Sequence, residues 1–295
     1  MNEFLPVLAY WVHDLDPVIL HIWGPISLRW YGLAYVAGFI VAYFLWTRAV
    51  RRGFTPLSQD HVEELMLWGI VGVFVGGRLG YMLLYDFATL VEEPLLIVRV
   101  YQGGMSFHGG AIGGILAVII VAWRRKQSVF TVGDLGVMGV AWGLLFGRLA
   151  NFINGELWGK ISTVPWAVVF PSAPFDKTAP VVTVELAGTA FMANPRHPSQ
   201  LYEAALEGLL LGLVLLYLFW KTDLRNRIPG FISGVFIVGY AAARIVCELF
   251  REPDEGISFI WGFSRGTFYS FVLMDIGVTV MVLAMILAKK RSAKP

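Results

Sequence analysis

The stretch Gly147-Arg-Leu-Ala-Asn-Phe-Ile-Asn-Gly-Glu-Leu-Trp-Gly159 follows an apolar run from Leu135 to Phe146. It brings four polar side chains together within nine residues at the end of a hydrophobic helix: Arg148, Asn151, Asn154 and Glu156. If the helix continues through residue 154, Arg148 and Asn151 lie three residues apart on one face. The glycines at 155 and 159 would then allow the backbone to leave the helix.

Charged and amide groups at the end of an apolar helix cost free energy unless they pair or line a wet cavity. One interpretation is structural, with an ion pair between Arg148 and Glu156 that ties down the following loop. The other is functional, with the same groups lining a polar cavity that binds a ligand. The residue types by themselves leave both interpretations open.

The composition indicates a membrane protein. Hydrophobic residues make up 57% of the chain and charged residues only 15%, with a mean hydropathy of +0.66. Soluble domains carry roughly a quarter charged residues. The sole cysteine, Cys247, excludes an intrachain disulfide and any multi-cysteine metal site. No cleavable signal peptide is expected, because Glu3 lies near the start and no basic region precedes the apolar stretch.

The hydrophobic stretches predict seven membrane spans, since a bilayer core needs roughly 20 apolar residues per helix. The fourth is the shortest. They are Ser27–Thr47, Val62–Tyr85, Met105–Trp123, Val132–Arg148, Leu201–Trp220, Phe231–Phe250 and Thr267–Ala288. We therefore expect an all-α integral membrane protein that forms a single membrane-embedded domain over residues 1–295.

Basic residues cluster after the first, third, fifth and last spans, as at Arg51 and Arg125. The positive-inside rule then predicts the N-terminus outside and the C-terminus in the cytoplasm. Residues 151–200 would face outward as a small extracytoplasmic head segment. Residues 1–25 suit an interfacial arm, in which His13 and His21 are interpreted as packing or solvated histidines rather than metal ligands.

The opening stretch resembles the signature Gly-Arg-x-Gly-Asn-Phe-x-Asn-x-Glu-x-x-Gly of the prolipoprotein diacylglyceryl transferases. It departs at Ala150, where the family usually has glycine, and Arg29 and Thr267 stand where the family has His and Gln. Further segments are similar to family motifs: Trp-Tyr-Gly-Leu at 30–33, Gly-Gly-Arg-x-Gly-Tyr at 76–81, Ser-Phe-His-Gly-Gly at 106–110, Arg-His-Pro-Ser-Gln-Leu-Tyr-Glu at 196–203 and Gly-Tyr-x-x-x-Arg-x-x-x-Glu-x-x-Arg at 239–251.

Several of these residues also have a plain structural interpretation. Tyr31 suits an interfacial tyrosine belt, and His108 suits a hydrogen-bonded packing residue. Glycines at 72, 76 and 80 allow close helix packing, and Asp134 suits the N-cap or first turn of the fourth helix. Tyr240, Arg244 and Glu248 form one stripe along a helix, in which an internal salt bridge is the structural alternative.

The resemblance implies transfer of the diacylglyceryl group of phosphatidylglycerol to the lipobox cysteine of a prolipoprotein signal peptide. Glycerol 1-phosphate would leave and a thioether would form. The implied catalytic residues are His108, Arg148 and Arg244, with the arginines on the phosphodiester and His108 accepting the thiol proton or positioning substrate. The implied substrate-binding residues are Tyr31, Arg78, Asn151, Asn154, Glu156, Tyr240 and Glu248.

No metal or organic cofactor is expected, nucleic acid is not an expected partner, and the protein is expected to be a monomer. A different class of function, a lipid or small-anion transporter, would use the same arginines as a binding site. It predicts inverted repeats and broken helices in both halves, and the sequence contains neither.

Overall fold

The protein is described by a computed structural model that covers residues 10–24, 26–99, 103–253 and 260–292. Within these ranges, seven helices are long and apolar enough to cross a membrane, which confirms the predicted all-α membrane fold. The first four are α1 (Trp30–Arg51), α2 (Gln59–Leu84), α4 (Phe107–Arg124) and α5 (Val129–Ile153), with the short α3 (Phe87–Glu92) after α2. A 3₁₀ turn at Pro94–Val98 follows α3.

The fifth span, Ser199–Lys221, is interrupted by a π-helical segment. It consists of α6 (Ser199–Glu203), the π segment Ala204–Leu210 and α7 (Leu211–Lys221). After the short α8 (Leu224–Arg227), the last two spans are α9 (Phe231–Glu248) and α10 (Arg265–Ser292). π segments are rare and often lie at functional sites.

The predicted and observed spans differ most at α5. Its helix begins at Val129 and ends at Ile153, so that Arg148 and Asn151 both lie in its last turns. Asp134 therefore lies inside α5 rather than at its N-terminus, which corrects the N-cap interpretation. Its carboxylate instead accepts hydrogen bonds from the N–H groups of Gly230 and Ser233, each at 2.7 Å, at the beginning of α9.

Seven short strands accompany the helices in the described residues. Three precede α1: β1 (Trp11–Val12), β2 (Val18–Trp23) and β3 (Ile26–Arg29), of which β2 and β3 form an antiparallel hairpin. Four lie between α5 and α6: β4 (Val168–Val169), β5 (Val182–Leu186), β6 (Thr189–Ala193) and β7 (Pro195–Arg196). The sequence predicted an arm and a head segment in these places but not their strands.

The head strands form a small sheet and a hairpin. β4 pairs in parallel with β1 and antiparallel with β7, and β5 pairs antiparallel with β6. A cluster of buried residues, Tyr10, Ala167, Val169 and Ala193, joins these segments. The chain before α1 is thereby attached to the segment between α5 and α6.

By internal contacts the chain divides into two compact units. The first comprises the chain up to Gly38, Ala141–Leu213 and Phe236–Val278. The second comprises Phe39–Val140, Val214–Val235 and the chain from Thr279. The assignment of one domain to residues 1–295 stays a prediction.

Glycine contacts bring α2 and α4 together within the second unit. A Cβ added to Gly76 would lie 2.4 Å from the Gly109 carbonyl oxygen, and one added to Gly72 would lie 2.3 Å from that of Gly113. Side chains at these positions would overlap backbone atoms, so only glycine permits this separation. The predicted packing role of the glycine face is confirmed.

Candidate active site

An ion cluster within the first unit contains the signature arginine. Arg148 lies near the end of α5, and its Nε and Nη2 donate to Glu207 Oε2 at 3.2 and 3.1 Å. Its Nη1 lies 3.0 Å from Glu203 Oε2. The two glutamates thus hold the guanidinium along two of its edges.

Arg244, on α9, contacts the same carboxylates from another helix. Its Nη1 donates to Glu203 Oε1 at 2.6 Å and lies 3.7 Å from Glu207 Oε1. Its Nη2 lies 2.5 Å from Glu248 Oε1, so the in-helix salt bridge expected as the structural alternative is present. Arg251 adds a third guanidinium, which donates to Glu203 Oε1 at 3.2 Å.

The glutamate and arginine side chains of the cluster differ in how deeply they are buried. The side chains of Glu203 and Glu207 have no exposed surface, whereas those of Arg148 and Arg244 are 15% and 14% exposed. Removing one partner of a buried ion pair lowers the stability of a protein by roughly 3–5 kcal/mol, because the remaining charge is then buried without a partner. Buried carboxylates and arginines are therefore stable only as complete pairs. The two glutamates therefore anchor the arginines, and the arginine side chains are the partly exposed members of these pairs.

The π segment positions Glu207 against α5. A Cβ added to Gly208 would lie 2.6 Å from the Leu145 Cα, so the two backbones approach as closely as glycine allows. This contact lies one turn before Arg148 on α5 and beside Glu207 on the π segment. Close backbone approach is what brings these two side chains within hydrogen-bonding distance.

A second polar group lies where the signature stretch leaves α5. Asn151 Nδ2 donates to Glu156 Oε1 at 2.8 Å and lies 3.5 Å from the Tyr31 hydroxyl oxygen. Asn154 Nδ2 donates to the same Glu156 oxygen at 3.4 Å. The structural interpretation of the stretch as an Arg148–Glu156 ion pair is wrong, because Arg148 pairs with α6 and the π segment while Glu156 pairs with amides.

Two glycines shape this turn for different reasons. Gly155 adopts a left-handed backbone with φ of +65°, which allows the chain to turn away just after α5. Gly159 is required by space, since a Cβ there would lie 2.5 Å from the Phe250 carbonyl oxygen and 2.6 Å from that of His197. Gly155 therefore has the predicted role of letting the backbone leave the helix, whereas Gly159 is needed for close packing instead.

The beginning of α6 is tied directly to the signature turn. The Ser199 hydroxyl donates to the Leu157 carbonyl at 3.0 Å, and Gln200 Nε2 donates to the Glu156 carbonyl at 2.6 Å. The Arg-His-Pro-Ser-Gln-Leu-Tyr-Glu motif therefore does two things. It holds the turn through its Ser and Gln, and it contributes Glu203 to the ion cluster.

Tyr240 and Glu248 complete the stripe along α9 on either side of Arg244. Tyr240 is half-buried, with its ring stacked on Phe236 at a centroid distance of 6.3 Å. Glu248 accepts from the Ser264 hydroxyl at 2.7 Å as well as pairing with Arg244. The Ser264 hydroxyl lies 3.0 Å from the Thr267 hydroxyl, so the residue that replaces the family's Gln supports the group that holds Glu248.

Arg78 and His108 lie in the second unit. Arg78 is only 5% exposed, and its guanidinium donates to backbone carbonyls of the chain between α3 and α4. These acceptors are Leu96, Ile97, Arg99, Gly103 and Gly104. All its N–H groups are therefore engaged in holding backbone, and its predicted contact with substrate stays a prediction.

His108 is exposed in the first turn of α4 and contacts Phe107 edge-on, with a centroid distance of 5.9 Å. The N-cap of the helix is Ser106, whose hydroxyl accepts from the Gly109 N–H at 3.3 Å. The Ser106 N–H donates to the Gly77 carbonyl at 2.8 Å, directly beside Arg78. Arg78 and Ser106 thus fix the chain that leads into His108.

Another histidine, His197, lies in the head segment just before α6. Its Nδ1 lies 3.0 Å from the Tyr202 hydroxyl, which also accepts from Trp166 Nε1 at 2.7 Å. Burial, and to a smaller extent the positive charge of Lys160, lower the pKa of His197 below its ordinary value. In the described ranges no group of three or more His, Cys, Asp or Glu side chains is arranged to hold a metal ion.

The sequence interpretation left three members of the ion cluster without a site role: Glu203, Glu207 and Arg251. A feature of the sequence could have indicated each of them. Glu203 ends one motif block and Arg251 ends another, and Glu207 lies four residues after Glu203 in an apolar helix, where a carboxylate needs a partner.

The sequence was also compared with those of known proteins. The sequence model of the family described as prolipoprotein diacylglyceryl transferase matches residues 17–283. A phosphatidylglycerol–prolipoprotein diacylglyceryl transferase of Idiomarina loihiensis is 43% identical over 282 residues, which cover 95% of this chain and 97% of the relative. A protein of the same name from Rhodospirillum centenum is 44% identical over 272 residues, 92% of each chain. The chain belongs to the prolipoprotein diacylglyceryl transferase family.

Proposed function

We propose that this membrane transferase moves the diacylglyceryl group of phosphatidylglycerol to the lipobox cysteine of prolipoprotein signal peptides. The observation that carries the proposal is the ion cluster of the first unit. Arg148 and Arg244 retain exposed surface, while Glu203 and Glu207, which hold them, are fully buried. This arrangement suits an anionic headgroup at the end of membrane-spanning helices.

In this proposal Arg148 and Arg244 bind the phosphate of the lipid. A guanidinium has five N–H donors in a planar fork, so it can keep its carboxylate partner and still donate to a phosphate oxygen. Charge-assisted hydrogen bonds to a phosphodiester strengthen as the leaving phosphate gains negative charge. The two arginines therefore stabilise the transition state more than the bound lipid.

The transfer step forms one bond and breaks one. The cysteine sulfur attacks the carbon of the diacylglyceryl group that is bonded to the phosphate. An S–C bond forms, and the C–O bond to the phosphate breaks with its electron pair passing to the phosphate oxygen. The products are the thioether and glycerol 1-phosphate, and the thiol proton passes to a base. Because the phosphate leaves readily once its charge is held, the step as proposed uses no metal or organic cofactor.

We assign proton acceptance to His108, since the thiolate is the reactive form and a neutral imidazole nitrogen can accept a proton. Arg78 acts as a positioning residue, because it fixes the chain that leads into His108. Asn151, Asn154, Glu156, Tyr31 and Tyr240 orient the lipid headgroup and the arginines by hydrogen bonds. Glu248 holds Arg244.

The protein is a multi-pass bacterial membrane protein, and we propose that it works as a monomer in the cytoplasmic membrane with its N-terminus outside. Basic residues at the ends of α1, α4 and α10 support this orientation. Cysteines introduced at Lys177, in a Cys247→Ala background, should react with an impermeant maleimide added to intact cells. Cysteines introduced at Arg125 should react only after lysis, and the reverse pattern would overturn the orientation.

The function is tested by incubating purified protein with phosphatidylglycerol and a lipobox peptide and measuring the peptide by mass spectrometry. The expected product carries one diacylglyceryl group on cysteine, with release of glycerol 1-phosphate. A peptide with serine in place of cysteine is the matched control and should remain unmodified. Movement of lipid between leaflets without a modified peptide would identify a transporter instead.

A further inference from the structure

His13 lies in the first unit, in the segment between β1 and α1. Its N–H donates to the Val169 carbonyl at 2.8 Å, which extends the pairing of β1 with β4. The residue is only 7% exposed, although it lies in a part of the chain expected to form an interfacial arm. A buried imidazole requires a partner for its N–H group.

Three aromatic rings enclose the imidazole. Phe152 lies edge-on to it at a centroid distance of 5.6 Å, and Phe170 lies at 5.3 Å. Trp11 stacks on Phe152 at 5.6 Å and meets His13 edge-on at the same distance. These contacts fix the ring plane, so the directions of its two nitrogens are fixed as well.

The partner of His13 is the backbone at the end of α5. Its Nε2 lies 2.7 Å from the Phe152 carbonyl oxygen, which also accepts from the Gly155 N–H at 3.0 Å. A carbonyl can only accept, so Nε2 carries the hydrogen. The last carbonyls of a helix lack helical partners, and here a side chain from the N-terminal arm supplies one.

The other ring nitrogen faces the glycine of the signature turn. A Cβ added to Gly155 would lie 3.2 Å from His13 Nδ1 and 3.1 Å from Cε1, so the ring fills the space that a side chain would need. The Ser172 hydroxyl holds the same glycine through its carbonyl at 2.9 Å. The turn is therefore held on one side by the arm and on the other by the head segment.

We propose that His13 is a positioning residue for diacylglyceryl transfer, because it clamps the turn that carries Asn154 and Glu156. The inference rests on the proposed function, and it adds that the N-terminal arm sets the geometry of the signature stretch. Misplacement of polar groups by about 1 Å can lower turnover by up to roughly 100-fold. Loss of the clamp should therefore reduce transfer without removing any group that contacts substrate.

The test compares His13→Phe, which keeps the aromatic packing but has no donor, with His13→Gln, whose amide N–H can reach the Phe152 carbonyl. His21→Phe is the matched control, since His21 is exposed on the β2–β3 hairpin and its Nδ1 lies 3.0 Å from the Ser27 hydroxyl. The measurements are kcat and KM for phosphatidylglycerol in detergent, thermal unfolding, and hydrogen exchange of peptides that cover residues 150–158.

His13→Phe should lower kcat about 10- to 100-fold with a smaller change in KM, and amides in the turn should exchange faster. His13→Gln should keep most of the parent's kcat and most of its protection of the turn amides from exchange. His21→Phe should match the parent in both measurements. Equal losses in Gln and Phe variants, unchanged exchange in His13→Phe, or an equal loss in His21→Phe would each overturn the clamp. If His13→Phe does not fold, His13→Leu takes its place.

The two proposals fail separately in this experiment. If the parent protein modifies no peptide, the proposed function is wrong, whatever the exchange data show. Exchange of the turn amides then still decides whether His13 holds the turn.

Discussion

Substitution of Arg148 by lysine separates the need for positive charge from the need for a fork of donors. In the structure, the Arg148 guanidinium uses Nε and Nη2 on Glu207 at 3.2 and 3.1 Å and Nη1 beside Glu203 at 3.0 Å. A lysine keeps the charge but has a single ammonium group. It cannot contact two carboxylates along two edges and also present donors to a phosphate.

The expected loss follows from the hydrogen bonds that lysine cannot replace. One hydrogen bond to a charged group contributes about 1.5–3 kcal/mol, and about 1.4 kcal/mol corresponds to a tenfold change in rate. The loss of one phosphate contact thus lowers kcat/KM by roughly 10- to 100-fold. Lysine also loses the contacts that hold the Arg148 side chain against both Glu203 and Glu207. We therefore expect Arg148→Lys to lower kcat/KM by about 100-fold or more.

The assay is steady-state transfer of diacylglyceryl to a lipobox peptide, normalised to folded protein by size-exclusion chromatography in detergent. Arg225→Lys is the matched control, because Arg225 donates to the carbonyls of Phe54 at 2.9 Å and Phe219 at 2.7 Å in the second unit. It should lower thermal stability and leave activity per folded molecule near that of the parent. Near-normal turnover of Arg148→Lys at normal protein levels would refute the role of the donor fork.

Three further predictions concern other parts of the chain. Asp134→Ala leaves two backbone N–H groups at the beginning of α9 without their acceptor and should lower the free energy of unfolding by about 2–4 kcal/mol, measured as a lower melting temperature in detergent. Gly109→Ala places a Cβ 2.1 Å from the Gly76 carbonyl oxygen and should prevent stable folding, whereas Gly114→Ala, with open space around it, should be tolerated in the same expression test. His108→Gln should lower kcat by roughly 10²–10⁴-fold, with partial recovery at high pH because more of the peptide thiol is ionised; inactivity at every pH would exclude His108 as the base.

Hydropathy and small-residue spacing predicted the membrane part of the fold because both act locally. A span needs only a run of apolar residues, and the glycine face of α2 needs only a four-residue spacing, so one sequence segment contains the whole signal. The predicted span ended at Arg148, because polar residues follow it, and continuation of the helix through residue 154 was considered only as a condition; α5 in fact ends at Ile153. Those residues remain helical because they find partners in other segments.

The partners themselves could not be predicted from the sequence. Arg148 and Glu156 are close along the chain and were the natural pair, yet Arg148 pairs with Glu207, 59 residues further on. Likewise Asp134 accepts hydrogen bonds from Gly230 and Ser233 at the beginning of α9, which lie 96 and 99 residues further along the chain. Such pairs depend on which helices are neighbours in space, and a single sequence does not contain that information.

The ion cluster explains why arginine rather than lysine recurs in these motifs. Among the described residues, three arginines meet three glutamates, so the formal charges of these six cancel, and Glu203 contacts all three guanidinium groups. A group of charges that cancel attracts an anion only weakly at a distance, so lipid binding as proposed depends on short, directed hydrogen bonds. In the proposed mechanism, Arg148 and Arg244 each hold a buried carboxylate and an incoming phosphate at once, which a planar group with five donors can do. The carboxylates also keep the guanidinium groups in place before lipid arrives, so that little reorganisation accompanies the departure of the phosphate.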